Sequence, residues 1–177
     1  MRLRYKRGVY PGTVYLDHQV IDTYSKEMYV EPLKEPEKNN EAQIQVYVIR
    51  WRPSQCSVDP IEEIILDNDD YDPKHVIGKL SELSGVPVEY IYYTERLSFP
   101  AEISCLDIEN RLYWYSITSD RPYSLPLYDD GYVIYYKDKR ERMKELTDKE
   151  RSEIQEAEYA RLERIRECKS KHEHRYW

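Results

Sequence analysis

Residues 43–66 carry the alternating pattern of a β-hairpin. In the segment QIQVYVIRW the aliphatic side chains of Ile44, Val46 and Val48 fall on one face, and most of the remaining positions are polar or aromatic. An alternation with a period of two predicts a strand. A loop that ends at Pro60 separates it from a second apolar run, IEEIIL. This short separation predicts that the two strands pair as an antiparallel hairpin.

The next segment, residues 72–87, is punctuated as a short helix. Asp72 can accept hydrogen bonds from free backbone N–H groups, and Pro73 suits the first helical position, where a missing N–H costs nothing. Gly85 suits the left-handed residue after the last turn, and Pro87 prevents the helix from continuing. The apolar residues between these signals form one stripe: Val76, Ile77, Leu80 and Leu83. The sequence therefore predicts an amphipathic helix.

Three further segments complete this part of the chain. VEYIYYTERLSF predicts a third strand, and AEISCLDIENRL predicts a short connection with a helical turn. The Pro- and Tyr-bearing excursion YWYSITSDRPYSLPL is assigned to no element. Asp130 and Gly131 predict a tight turn before a last strand, YVIYYKD. The predicted order over residues 43–138 is therefore β-β-α-β-β.

Residues 1–42 predict an N-terminal extension and linker. The Pro11-Gly12 pair favours a turn, which would make residues 7–21 a hairpin. Residues 31–42 are rich in Pro, Lys, Glu and Asn and have few side chains to bury, which is typical of a linker.

Residues 139–177 predict a charged helical tail. Thr147 and Glu150 have the spacing of a capping box, and most of the following residues are good helix formers. Only a thin apolar stripe is present: Ile154, Leu162 and Ile165. Two interpretations remain open, a solvated helix that leans on the domain at one end and a helix that binds a partner or self-associates.

The composition is acidic and rich in tyrosine. The chain of 177 residues has a net charge of −7, which argues against general affinity for nucleic acid or for anionic membranes. Residues 137–177 hold 13 Lys/Arg and 11 Asp/Glu, so the acidic excess lies in the body of the chain. The 19 Tyr against a single Phe suggest half-buried strands and contact surfaces, since a tyrosine hydroxyl favours water.

No apolar run approaches the roughly 20 residues of a membrane span. The basic N-terminus has no apolar segment after it, so it is not a secretory signal. The three cysteines are few and widely spaced, which favours a reducing compartment. We therefore expect a location in the cytoplasm, or also in the nucleus.

Candidate catalytic and metal-binding residues are scattered. The chain has four histidines, His18, His75, His172 and His174, and three cysteines, Cys56, Cys105 and Cys168. No histidine stands in a recognisable catalytic context with a cysteine. Cys105 is flanked by apolar residues and is expected to be a small residue in or near the core. Cys168 with His172 and His174 would offer metal ligands, but no second cysteine stands at close spacing.

Other chemical motifs are equally weak. The acidic run DNDD at residues 67–70 lacks the glycine and the alternating ligands of a calcium loop. With 5 Gly in the chain, no phosphate-binding loop is present. The stretch RLRYKRGVY could stack on single-stranded nucleic acid, although the net charge opposes this. We therefore predict no catalytic, cofactor-binding or metal-binding residue.

The order β-β-α-β-β, with KLSELSGVP between the helix and the third strand, resembles the β-grasp of ubiquitin. A closer resemblance is to the C-terminal region of ubiquitin carboxyl-terminal hydrolase 47 and its relatives in the ubiquitin-specific protease family. Four segments carry it in order across residues 50–151: RWRPSQCSVDPIEEIIL, LSELSGVP, ISCLDI and DDGYVIYYKDKRERMKELTDKER. The expected fold is thus α+β, a ubiquitin-like β-grasp with a mixed sheet of four to five strands and one packed helix, followed by the long charged tail.

This resemblance implies the tail of a thiol-dependent deubiquitinase with a separate papain-like catalytic domain. The family's catalytic Cys and His boxes have no counterpart in this sequence, so no residue inherits a catalytic role. Ubiquitin's exposed isoleucine patch falls near Thr94, and its Gly-Gly tail is replaced by KDKRERMKE. We therefore expect a chain that neither mimics nor is conjugated like ubiquitin.

The leading functional hypothesis is a non-catalytic module, a monomer, that recruits proteins of the ubiquitin system or positions the catalytic domain of the same enzyme. The alternative is a stand-alone interaction or self-association module built on the C-terminal helix. Binding of single-stranded nucleic acid is a third hypothesis, and no membrane partner is expected.

Overall fold

The part of the chain that the structure describes forms two β-sheets and three α-helices. The computed structural model of the chain describes residues 1–7, 10–15, 19–21, 28–33, 43–67, 72–96, 103–118, 125, 127 and 130–173. The predicted linker and the acidic run at residues 67–70 lie mostly outside these ranges, and His18 and His174 lie wholly outside them.

The first sheet is antiparallel and N-terminal. Its strands are β1 (Arg2–Arg7), β2 (Tyr10–Tyr15) and β3 (Met28–Glu31), in the order β2-β1-β3. The prediction of a turn at Pro11-Gly12 was wrong, because both residues belong to β2 and Pro11 pairs with Lys6. Proline is tolerated there because β2 is an edge strand of this sheet, and the pairing is irregular between Arg4 and Lys6.

The second sheet, which we call the main sheet, is mixed and five-stranded. Its strands are β4 (Gln43–Arg52), β5 (Ser57–Val58), β6 (Glu62–Asp67), β7 (Ile91–Arg96) and β8 (Tyr132–Asp138). Strand β4 pairs antiparallel with β6, which confirms the predicted hairpin, and parallel with β8. Strand β7 flanks β8 on its other side. The observed architecture is therefore α+β with a mixed sheet.

Helix α1 (Pro73–Ser84) forms as the sequence predicts. The Asp72 carboxylate accepts a hydrogen bond of 2.9 Å from the backbone N–H of Lys74. Gly85 ends the helix with a φ of 70° and donates its N–H to the carbonyl of Ser81. Three residues of the apolar stripe are buried, Val76, Ile77 and Leu80. Leu83 departs from the expectation, because it is 41% exposed.

Alternation along the strands divides the core into two clusters, one on each face of the main sheet. On the front face, α1 covers residues that include Ile44, Val46, Val48, Ile134 and Tyr136. The opposite face, here called the back face, carries the intervening residues Ile49, Trp51, Val133 and Tyr135. Both faces are therefore buried, as the alternating positions of the central strands β4 and β8 require.

The back face is covered by the segment from Ile103 to Trp114 and by the C-terminal helix. This segment contains the short helix α2 (Ile108–Arg111), which confirms the predicted helical turn. Helix α3 (Asp148–Glu173) begins at the predicted capping box, where the Thr147 hydroxyl accepts from the N–H of Glu150 at 3.3 Å. Nothing is described of the side chains of Cys168 and His172 near its end.

Candidate protein-interaction surface

The N-terminal sheet meets the back face through a buried arginine. Gln45 and Tyr47 of β4 alternate with the front-face residues, so their side chains lie on the back face. Arg4 of β1 is 0% exposed and donates to the side-chain Oε1 of Gln45. Its guanidinium also lies 5.8 Å from the centre of the Tyr47 ring and 3.4 Å from the Glu31 carboxylate. A buried guanidinium requires such partners, so Arg4 fixes β1 on the main sheet.

Two further polar contacts hold the same interface. Arg2 donates to both carboxylate oxygens of Glu63 on β6, at 2.7 and 2.9 Å. The Asp130 carboxylate accepts from the backbone N–H groups of Val14 on β2 and Gln45 on β4, both at 2.8 Å. One aspartate therefore bridges a strand of each sheet, at the turn that the sequence predicted.

Two cations of the basic start RLRYKRGVY, Arg2 and Arg4, are thus committed to the interior of the protein. Arg2 and Arg4 are buried and bonded to carboxylates, and neither side chain is available at the surface. The Arg-x-Arg spacing in a strand is the signal that could have revealed this, because it places both residues on one face. Hydrophobic patterning missed it because the inward-facing residues are charged.

The other half of the back face is closed by α3 and by the segment that contains α2. Ile154 of α3 packs against the back-face cluster. One turn further along, the Glu158 carboxylate accepts from the backbone N–H of Cys105 at 3.3 Å. Arg161 donates to the carbonyl of Ile103 at 3.0 Å and to Glu158 at 2.6 Å. These spacings of four and seven residues place one face of the helix on the domain.

A partly buried ion pair lies on the closed face. Lys137 of β8 contacts the carboxylate of Glu109 on α2, and the indole N–H of Trp51 donates to the other oxygen of Glu109 at 2.9 Å. Trp114 completes the group, with its ring centre 4.5 Å from the Lys137 ammonium. The carboxylate and the aromatic ring compensate the burial of the Lys137 charge.

From this pair an alternating stack of rings and cations runs toward solvent. We call it the aromatic–cation ladder, and it consists of Trp114, Lys137, Tyr92, Lys139, Tyr90 and Arg140. The Lys139 ammonium lies 5.3 Å from the ring centre of Tyr90 and 5.9 Å from that of Tyr92. The Arg140 guanidinium lies 4.2 Å from the ring centre of Tyr90. These distances are within the range of favourable cation–π interactions.

The connection between β8 and α3 is anchored to the main sheet. The Glu141 carboxylate accepts from Arg50 at 3.3 Å and from the Ser54 hydroxyl at 2.9 Å. The backbone N–H of Lys144 donates to the carbonyl of Pro53 at 3.0 Å. Two segments that carry the family resemblance, around residues 50–56 and 137–150, therefore meet in space.

The two described thiols lie close together but are poorly suited to nucleophilic chemistry. The Sγ atom of Cys56 lies 3.9 Å from the carbonyl oxygen of Cys105. Burial raises the pKa of the Cys56 thiol, and burial followed by the Glu158 charge raises the pKa of Cys105 to about 11. Since the thiolate is the reactive form, both groups are largely protonated at neutral pH. His75 lies on α1, on the other side of the main sheet.

Two negative findings apply to the described ranges of the chain. No helix there is long and apolar enough to span a membrane. No group of three or more His, Cys, Asp or Glu side chains there has the arrangement of a metal site.

The position assigned to ubiquitin's isoleucine patch lies on the closed face. Thr94 of β7 pairs with Tyr135 of β8, which belongs to the back-face cluster. Thr94 is 5% exposed, so its side chain is inaccessible to a partner.

Comparison with known proteins assigns the chain to a family. The family model for the C-terminal part of ubiquitin carboxyl-terminal hydrolase 47 matches residues 1–176. The human ubiquitin carboxyl-terminal hydrolase 47 is 37% identical over 171 residues, which is 92% of this chain and 12% of that protein. The Xenopus tropicalis protein of the same name is 35% identical over 170 residues, also 92% of this chain and 12% of its own length.

The Drosophila melanogaster ubiquitin carboxyl-terminal hydrolase 47 is 32% identical over 123 residues, 68% of this chain and 8% of that protein. The chain thus spans about an eighth of the vertebrate relatives, whose remaining length lies outside the matched region. The family match includes the N-terminal strands as well as the main sheet and α3. The chain therefore belongs to the ubiquitin carboxyl-terminal hydrolase 47 C-terminal family.

Proposed function

We propose that this chain is a ubiquitin-like β-grasp module without catalytic activity, located in the C-terminal part of a thiol-dependent deubiquitinase. The strand connections support a β-grasp. An antiparallel pair, β4 and β6, is followed by α1 on the front face and by β7, and β8 then inserts parallel to β4 at the centre. The family membership supports the deubiquitinase context.

The closure of the back face is the observation that supports a role different from that of ubiquitin. The N-terminal sheet covers Gln45 and Tyr47. The segment that contains α2, together with α3, covers the remaining part of the back face. A receptor that reads an open sheet face has no access here, because Thr94 and its neighbours are buried. The module therefore acts through surfaces other than the back face, among them the outer side of α3.

The raised pKa values of Cys56 and Cys105 support the absence of catalysis in this module. A thiol protease requires an ionised cysteine beside a histidine base. Cys56 and Cys105 instead lie between the main sheet and α3, where burial favours the protonated thiol. We therefore assign the module to recruitment of ubiquitin-system proteins or to positioning of the catalytic domain, in the cytoplasm or also in the nucleus.

The two roles can be separated with an isolated catalytic domain of a relative, assayed on a ubiquitin–fluorophore conjugate with and without this chain added in excess. Positioning predicts a change in kcat/KM that saturates with the concentration of the added chain. Recruitment alone predicts an unchanged kcat/KM and co-elution with a third protein. A chain that hydrolyses the conjugate without the catalytic domain would contradict the proposal.

The second candidate function is self-association through α3. The observation that favours it is Tyr159, which is 67% exposed on a helix of 26 residues. Sedimentation equilibrium of the wild type and of Tyr159→Ser tests it, since self-association through this face predicts a mass that rises with concentration only in the wild type. A monomer at high concentration would refute this alternative and agree with the leading proposal.

A further inference from the structure

Residues 137–144 form a basic segment in an acidic protein. The sequence KDKRERMK holds five Lys/Arg and two Asp/Glu, whereas the whole chain has a net charge of −7. The segment begins inside β8 with the buried Lys137 and continues through the exposed end of the ladder to the connection before α3.

The two carboxylates of the basic segment are used internally. Asp138 is buried and accepts hydrogen bonds of 2.6 to 3.1 Å from the Arg140 guanidinium. Glu141 is turned toward the main sheet, where Arg50, Arg52 and Ser54 contact it. The acidic members of the segment therefore lie inward, and they add little negative potential to its outer surface.

Two cations of the segment are exposed and carry no counter-charge. Lys139 and Arg142 are both exposed, and neither forms an ion pair with any residue in the described ranges. Lys139 lies against the rings of Tyr90 and Tyr92, which are both half-buried. Tyrosine and arginine are both enriched at protein contact surfaces.

We propose that this surface binds an extended acidic peptide segment of a partner protein. Carboxylates of the peptide would pair with Lys139 and Arg142, and its side chains would pack on the rings of Tyr90 and Tyr92. The local charge favours a short acidic ligand, while the overall charge of −7 disfavours a long phosphate backbone. The inference goes beyond the proposed function, which does not depend on this surface.

The test uses the full chain and a short fluorescein-labelled peptide rich in Glu and Asp with one central Tyr. Fluorescence anisotropy should show saturable binding that weakens as salt is raised. The double variant Lys139→Gln/Arg142→Gln should bind about fivefold more weakly, because it loses two surface charge pairs. The matched control Lys74→Gln/Arg164→Gln removes the same charge from exposed positions outside the segment and should bind within about twofold of the wild type.

Several outcomes would overturn the inference. These are no binding by the wild type at low salt, equal weakening in both double variants, and equal binding of a peptide in which Gln replaces every Glu and Asn every Asp. Tighter binding of an oligo-dT of the same charge would assign the surface to nucleic acid instead. A molecular mass that doubles at the concentrations used in the wild type, but not in Lys139→Gln/Arg142→Gln, would assign the surface to a second copy of the chain.

Discussion

The side chains of Arg4 on β1 and Gln45 on β4 are hydrogen-bonded to each other across the boundary between the two sheets. Arg4 is completely buried, and the backbone N–H of the same Gln45 is bound by Asp130. Among the residues that the structure describes, polar contacts therefore fix the N-terminal sheet on the back face. The N-terminal strands contribute to the fold of the main sheet and to the closure of its back face.

Replacement of Arg4 tests this interface. The variant Arg4→Met keeps an apolar stem but removes the contacts with Gln45 and Glu31, so we expect the free energy of unfolding to fall by about 3 kcal/mol. Urea denaturation measures the change. The control Arg164→Met alters an exposed arginine of α3 and should change stability by less than about 0.5 kcal/mol. Equal effects of the two variants would show that Arg4 is not buried in solution.

The two glycines of the α1 region should respond oppositely to alanine. Gly85 has a φ of 70°, which strains any residue with a Cβ, so Gly85→Ala should lower the free energy of unfolding by about 1 kcal/mol. Gly78 lies inside the helix with no atom within 4 Å of an added Cβ, so Gly78→Ala should raise it by up to about 1 kcal/mol. Thermal or urea unfolding of both variants gives the two signs directly. If both variants changed the free energy of unfolding in the same direction, the end of α1 at Gly85 would be contradicted.

The first turn of α1 depends on a carboxylate cap. Since Asp72 accepts from the N–H of Lys74, Asp72→Ala should lower the free energy of unfolding by about 1 kcal/mol. The control Asp72→Asn retains an oxygen acceptor and should cost only a few tenths of that. If Asp72→Asn lowered the free energy of unfolding as much as Asp72→Ala, the charge of Asp72 rather than its cap hydrogen bond would be responsible for the stabilisation.

The capping box of α3 predicts a pH dependence. Hydrogen bonds from the Lys144 ammonium, and then from the N–H and hydroxyl of Thr147, lower the pKa of Glu150 to about 2 from an ordinary value of 4.5. A carboxyl group whose pKa is lower in the folded state stabilises it fully above pH 4.5 and loses this effect as pH falls toward 2. The stability difference between the wild type and Glu150→Gln should therefore shrink in acid.

Urea unfolding at a series of pH values measures this difference. The control Glu156→Gln removes an exposed carboxylate of α3 outside the capping box, and its stability difference from the wild type should depend much less on pH. A difference for Glu150→Gln that stays constant down to pH 2 would mean that the capping box is absent in solution.

Short sequence motifs predicted the helix ends that are determined by residues adjacent in the sequence. The cap at Asp72, the stop at Gly85 and the box at Thr147 each require only a few residues of chain, and the structure contains all three. The front-face residues Ile44 and Val46 followed from alternation alone. These features were predictable because sequence distance and spatial distance coincide there.

Long-range features were not predictable in the same way. Tyrosines were expected at half-buried positions, yet Tyr93 and Tyr135 are completely buried. They lie on opposite faces of the main sheet, and the segments packed on each face exclude water from them. Burial raises the pKa of Tyr93 to about 12. The Lys137–Glu109 pair joins residues far apart in the sequence, so nothing near either of them indicated the contact. Only the resemblance to a β-grasp suggested a mixed sheet.

The most direct measurement is hydrolysis of a ubiquitin–fluorophore conjugate by the purified chain, alongside a variant in which Cys56, Cys105 and Cys168 are all replaced by Ser. We predict no release of fluorophore above buffer by either protein, because the described thiols are held protonated by burial. Release by the wild type that the triple variant lacks would contradict the assignment of a non-catalytic module.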